Sequence, residues 1–310
     1  MMRIVVSPYH LSTREIPAMA SLLLADECIT LLPMGRGGKS AARDIAEQSE
    51  SYRELVRSWG WADELWRAGV IRGEIDGESA VSDVQRAAAA IADDPALVDL
   101  RGLMHDRLFE DDRAYLNALA YDIMKSGPDP GISLPVAAGL DAFAARHGAV
   151  SARSHWKSVA QTAESELISD RVSFVIPALV QADASRLIKT REVLGNALNQ
   201  LRTAISECAA ALTPSRVDDL KVAAMDYGIA FERSMTIISK DCKSDDVRMI
   251  TGDIAMTLCT LPHDAVMRSS VRAMQAMSGG GRSRRNDPAL ALTSGGPVSA
   301  LYFKTLGGGR

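Results

Sequence analysis

Residues Leu31 to Ser40 read LLPMGRGGKS and close on Gly38-Lys39-Ser40, the three residues that end a phosphate-binding loop. Such a loop works because consecutive backbone amides wrap phosphate oxygens, a lysine meets the outer charges and a hydroxyl holds magnesium. The surroundings suit it, since an apolar run precedes and a helical pattern follows. The position that should carry the first glycine, however, is Pro33. Proline has no amide hydrogen and a fixed φ, so it resists the tight wrap that glycine permits. Asp183, Asp226 and Asp253 are the acids available to position a metal, and none follows a well-marked strand. The first reading is a glycine-rich connection with a solvated cation. The alternative is a degenerate phosphate site at Gly38, Lys39 and Ser40.

A second group with usable chemistry lies in SPYHLSTRE, from Ser7 to Glu15. His10 stands among the hydroxyls of Ser7, Ser12 and Thr13, directly after an apolar run. A loop that leaves a strand and enters a helix is where α/β proteins hold ligands, because amide groups point outward there. Ser7, His10, Ser12 and Thr13, joined by Lys39 from the next connection, form the candidate ligand set. The plainer reading of the same residues is helix capping beside a packed Tyr9, with Ser12 and Glu15 at capping-box spacing.

Other chemistries find less support. The histidines His10, His105, His147, His155 and His263 form neither a His-Glu-x-x-His nor a Glu-x-x-His pattern. HDRLFEDD, from His105 to Asp112, gathers one histidine and four carboxylates but reads as a solvated helix end. No Gly-x-Ser-x-Gly elbow is present, so a hydrolase triad has no basis. We therefore expect no catalytic residues, no metal site and no cofactor. Trp59, Trp61 and Trp66 cluster in SWGWADELW. They read as core, with an interaction surface as the sharper alternative, because indole rings dominate interface energetics. Seven of the thirteen methionines lie between Met225 and Met277 and read as core filling.

The elements that would position these groups are mainly helical. RIVV (Arg3 to Val6) and CITLL (Cys28 to Leu32) read as strands, with a helix through Leu24 between them and Pro17 in its first turn. Helical patterns fill Ala41 to about Lys125, including Val81, Val84, Ala88 and Ile91. SGPDPGISLP (Ser126 to Pro135) reads as a loop, followed by helices near Val136–Arg146 and Ser154–Ile168. RVSFVI (Arg171 to Ile176) is a strand, and Pro177 opens the next helix. The strongest signal follows. Leu187, Leu194, Leu201 and Cys208 recur every seven residues, with Leu198, Ile205 and Leu212 complementing them and only Arg191 out of place. Thr213-Pro214-Ser215 ends this helix and starts another, lined by Val217, Leu220, Ala224, Tyr227, Phe231 and Ile238. The expectation is a long antiparallel αα-hairpin from about Pro177 to Ser239. VRMIT and IAMTLCTL around Gly252-Asp253 read as a β-hairpin, and a basic helix follows near Asp264 to Met277. Beyond Ser278 the glycine- and arginine-rich composition, with Arg282, Arg284 and Arg285, reads as a solvated tail in which VSALYF (Val298 to Phe303) docks back as a strand.

The fold class expected is α+β and predominantly helical, with a small sheet of short strands. Residues 1–278 form one body, with a sub-boundary near 126–153, and 279–310 form the tail. The 310 residues are 47% hydrophobic, enough for a sizeable core, and the net charge of −4 gives no strong nucleic-acid signal. Cys28, Cys208, Cys242 and Cys259 match no zinc or redox spacing and suit a reducing cytoplasm. No run approaches the ~20 apolar residues of a membrane helix. Two functions remain: an intracellular interaction or assembly protein using the helical hairpin, or a nucleotide- or phosphate-ligand protein using the loops around His10 and Lys39.

Overall fold

The computed structural model describes residues 1–30, 60–93, 130–154, 168–238, 247–257 and 298–305. These are mostly helical around two sheets. The larger has seven strands in the order β3-β2-β1-β6-β9-β8-β7. Its members are β1 (Arg3–Val5), β2 (Glu27–Ile29), β3 (Ile71–Arg72), β6 (Val150–Ser154), β7 (Ile168–Leu179), β8 (Val247–Thr257) and β9 (Val298–Thr305). The first five in this order run parallel, and β8 lies antiparallel between β9 and β7. Strand β1 is the pivot. Its register pairs Ile4 with Cys28 on one side and with Val150 on the other. Ile4 and Val5, which point to opposite faces, are both buried, so helices cover the sheet on both sides here.

The helices are α1 (Pro8–Thr13), α2 (Ile16–Leu24), α3 (Asp63–Arg67), α4 (Val81–Asp93), α5 (Pro130–Arg146), α6 (Ala184–Ala210) and α7 (Pro214–Ile238). Helices α4 and α5 pack together, and α5 rests on β1, β6 and β9. Helix α6 packs on α2, α3 and the β8–β9 part of the sheet, and α7 packs on α6 and β7. The heptad seam accounts for this. Leu187, Leu194, Leu198, Leu201, Ile205 and Cys208 are all buried. Burial pushes the Cys28 thiol up to about 12, against a small opposing pull from Arg191.

Arg191, the residue that interrupts the seam, has a structural task. Its guanidinium donates to the Leu22 and Ala25 carbonyls, each at 2.6 Å, and to Asp26 at 3.3 Å. Arg202, one long stride further along α6, donates to Leu24 and Ala25 and pairs with Asp26 at 2.8 Å. Two cations thus hold the carbonyls that the end of α2 leaves unpaired, where the helix dipole favours positive charge. Burial, then the neighbouring Arg202, lowers Arg191 to about 10, so it stays charged at neutral pH.

Several expectations change. Gly252-Asp253 is not a turn but the middle of β8, which runs unbroken from Val247 to Thr257. A Cβ on Gly252 would sit 2.3 Å from the Phe174 ring, so the glycine serves close approach rather than chain reversal. Pro177 lies within β7, at the end of the larger sheet's order, where a proline is tolerated. Helix α6 starts instead at Ala184, with Asp183 accepting from the Arg186 amide at 2.8 Å. Pro130 opens α5, so the second half of the expected loop is helix. Within the run expected to be helical, the chain instead forms β3 and a small hairpin, β4 (Glu74–Ile75) with β5 (Glu78–Ser79). Its turn, Asp76-Gly77, has positive φ at both residues, as a type I′ turn requires. The strand from Val298 does dock, between β6 and β8. The expected helices within 41–59, 94–125, 155–167 and 264–277 lie outside the described residues.

The candidate site at the carboxyl edge of β1

Because β1, β2, β3, β6 and β9 run parallel, their carboxyl ends share one edge of the sheet. The chain leaves β1 and proceeds by way of α2 to β2 on one side, while β6 lies on the other. The strand order therefore reverses at β1, the point where open α/β sheets form a crevice between diverging connections. Ser7, His10, Ser12 and Thr13 all fall at this edge, on the second residue after β1 and on α1. The Val6 amide still bonds to the Ile29 carbonyl at 2.8 Å, which fixes the exit of β1 against the end of β2.

Helix α1 is a single compact turn and a half. It ends in a Schellman arrangement: the Glu15 amide donates to His10 O at 3.0 Å and the Arg14 amide to Leu11 O at 3.4 Å. Arg14 occupies the left-handed position at φ 51 that glycine usually takes. Its guanidinium lies over the Trp61 ring, 4.5 Å from the centroid, an attraction that helps hold the corner.

This geometry overturns the capping box. Ser12 lies inside α1 rather than before α2, and Glu15, the N-cap of α2, makes no side-chain cap. The Glu15 carboxylate turns to His10 instead, with Oε2 at 2.8 Å from Nδ1. Both side chains are only partly exposed, 17% and 28%. An ionised Glu15 accepts a hydrogen bond from the His10 Nδ1–H and so orients the ring, an arrangement suited to binding a polar ligand. Spacing alone hid Glu15 in this role, because the same interval also fits a helix cap.

Two more groups at this edge were missed. Thr30 directly follows β2, and Ser151 on β6 is in register with Val5. Both are buried, and among the described residues neither hydroxyl has a hydrogen-bond partner. Thr30 belonged to a run read only as strand, and Ser151 to a polar segment, VSARS, that carries no strand signal.

The start of α6 faces the same corner. Asp183 is held below the usual carboxylate range, first by the Arg186 amide, with Ser185, Arg186 and Arg14 assisting against desolvation. The first amides of this long helix are thus served by a side chain of the protein.

Gly38, Lys39, Ser40 and Trp59 lie outside the described residues. Trp61 and Trp66 are half-buried and pack against the core. Two hollows elsewhere, of about 500 Å³ beside Glu78, Arg86 and Arg146 and about 380 Å³ beside Arg171, Pro214 and Lys221, share no lining residue with the β1 edge. Among the described residues no three metal-ligating side chains gather, and no helix is long and apolar enough to cross a membrane. Compared with protein-family models, with curated proteins and with solved structures, the chain matches none.

Proposed function

We propose that the protein binds a small phosphate-bearing ligand, a nucleotide or a simple phosphate ester, at the carboxyl edge of β1. The observation that carries this reading is the reversal of strand order at β1, with Ser7, His10, Ser12 and Thr13 at that strand's exit. Since β2 is parallel to β1, the chain that leads to Lys39 departs from the same edge. Hydroxyls and an oriented imidazole supply donors for phosphate oxygens, and Lys39 supplies charge. Thermal unfolding with inorganic phosphate, ATP and GTP, with and without magnesium, tests it. Saturating ligand raises Tm by about 3–8 °C through mass action, and Lys39→Ala and His10→Ala each remove the rise. The absence of any rise for the wild type across the panel contradicts the reading.

A second reading has its own observation. The pair α6–α7, taken as an antiparallel hairpin, carries on α7 an outward apolar stripe of Val222, Met225, Ile229 and Ile237. An assembly role through this hairpin is the function it supports.

A further inference from the structure

Helix α7 is apolar on two sides. Leu220, Ala224, Tyr227 and Phe231 are buried, which accounts for its packing on α6 and β7. Val222, Met225, Ile229 and Ile237 are 54%, 61%, 41% and 50% exposed. The first three are spaced by three and four residues, the interval of a helix–helix seam. A lone exposed leucine or valine needs no explanation, but a stripe at seam spacing does.

The charges beside the stripe indicate what covers it. Asp219, Asp226 and Arg233 follow one another at intervals of seven, along one flank of the stripe, and all three are exposed. The apolar triplet from Val222 to Ile229 is centred between Met225 and Asp226, and the Asp219–Arg233 interval is centred on Asp226. One two-fold axis through that point therefore serves both. A second α7 laid antiparallel about it brings Val222, Met225 and Ile229 against the same three residues of its neighbour. Asp219 then meets Arg233 of the second copy, and Arg233 meets Asp219 of the second copy. A parallel copy would set Arg233 level with Arg233 and lose this exchange. Self-complementarity of this kind is what an isologous two-fold contact requires.

We propose that α7 is the interface between two copies of this chain, packed antiparallel with Asp219 paired to Arg233 of the second copy; this rests on the assembly reading above. The arrangement has a cost at its centre, where the two Asp226 carboxylates approach each other. The cost supplies a test of opposite sign to the others.

Sedimentation equilibrium of the full chain decides the matter, with circular dichroism to establish folding of each variant. The wild type is a dimer. Asp219→Arg and Arg233→Asp, each of which sets like charges together twice, weaken it at least ~10-fold. The double variant Asp219→Arg/Arg233→Asp, which restores the exchange with signs reversed, returns to within about threefold of the wild type. Asp226→Asn tightens the dimer. A monomeric wild type at about 100 µM overturns the assembly reading itself. A dimer indifferent to all four variants overturns the α7 pairing and leaves assembly to another surface.

Discussion

The two ends of α2 are held by opposite means. At its close, half-buried Arg191 and buried Arg202 bind the Leu22, Leu24, Ala25 and Asp26 carbonyls, and Asp26 answers with its carboxylate. At its start, Glu15 leaves the helix uncapped and turns to His10, and both remain partly open to solvent. One end is satisfied for the sake of the fold. The other gives up a capping bond and presents an imidazole–carboxylate pair at the edge where the strand order reverses. A ligand site at this edge, as proposed, would accord with a rigid element whose stability is concentrated away from the site.

The largest effect that would break this comparison falls at the fixed end. Arg202→Ala strips donors from two buried carbonyls and leaves Asp26 with less compensation. The expected loss is about 2–4 kcal/mol, read as a lowered midpoint in denaturant. Ligand affinity of the folded fraction should stay as in the wild type. A loss under ~0.5 kcal/mol would mean that α2 is held by packing alone.

At the start of α6, beside that corner, the smallest effect is electrostatic. The folded-state pKa of Asp183 lies below its unfolded value, so its contribution is present above pH ~4 and is lost as pH falls through the folded pKa. Asp183→Asn should therefore flatten the acid limb of Tm against pH, while Tm at pH 7 falls by no more than about 1 kcal/mol would cause. An unchanged acid limb would show that other carboxylates govern that region.

The sequence was clearest where one period dominated. The heptad through Leu187, Leu194, Leu201 and Cys208 announced α6, and Pro214 marked the start of α7. The apolar runs at Ile4 and Cys28 announced two strands buried on both faces. Elsewhere a single residue carried two meanings. Gly252 beside Asp253 has the form of a turn, but the Phe174 ring, distant in sequence, is what requires the glycine. Pro177 has the form of a helix start, yet a strand at the end of the sheet's order accepts it. Strands as short as Ile71–Arg72 leave no periodic trace, and they become strands only through a parallel neighbour. For the candidate site, what was legible is that Ser7 to Thr13 leaves an apolar strand. That it lies where strand order reverses depends on β6, whose VSARS sequence gave no warning. Arg191 looked like a defect in the seam until the carbonyls of Leu22 and Ala25 supplied its partners.

The measurement that bears most directly on the carboxyl-edge account is amide chemical-shift mapping of the full chain titrated with the phosphate ligand that raises Tm most. The account predicts that the shifts concentrate on Ser7 to Glu15 and on Thr30, that they saturate together, and that His10→Ala abolishes them with less than about 1 kcal/mol change in stability. Shifts gathered instead around the hollows by Arg86 or Arg171, or no saturable shifts at all, would contradict it.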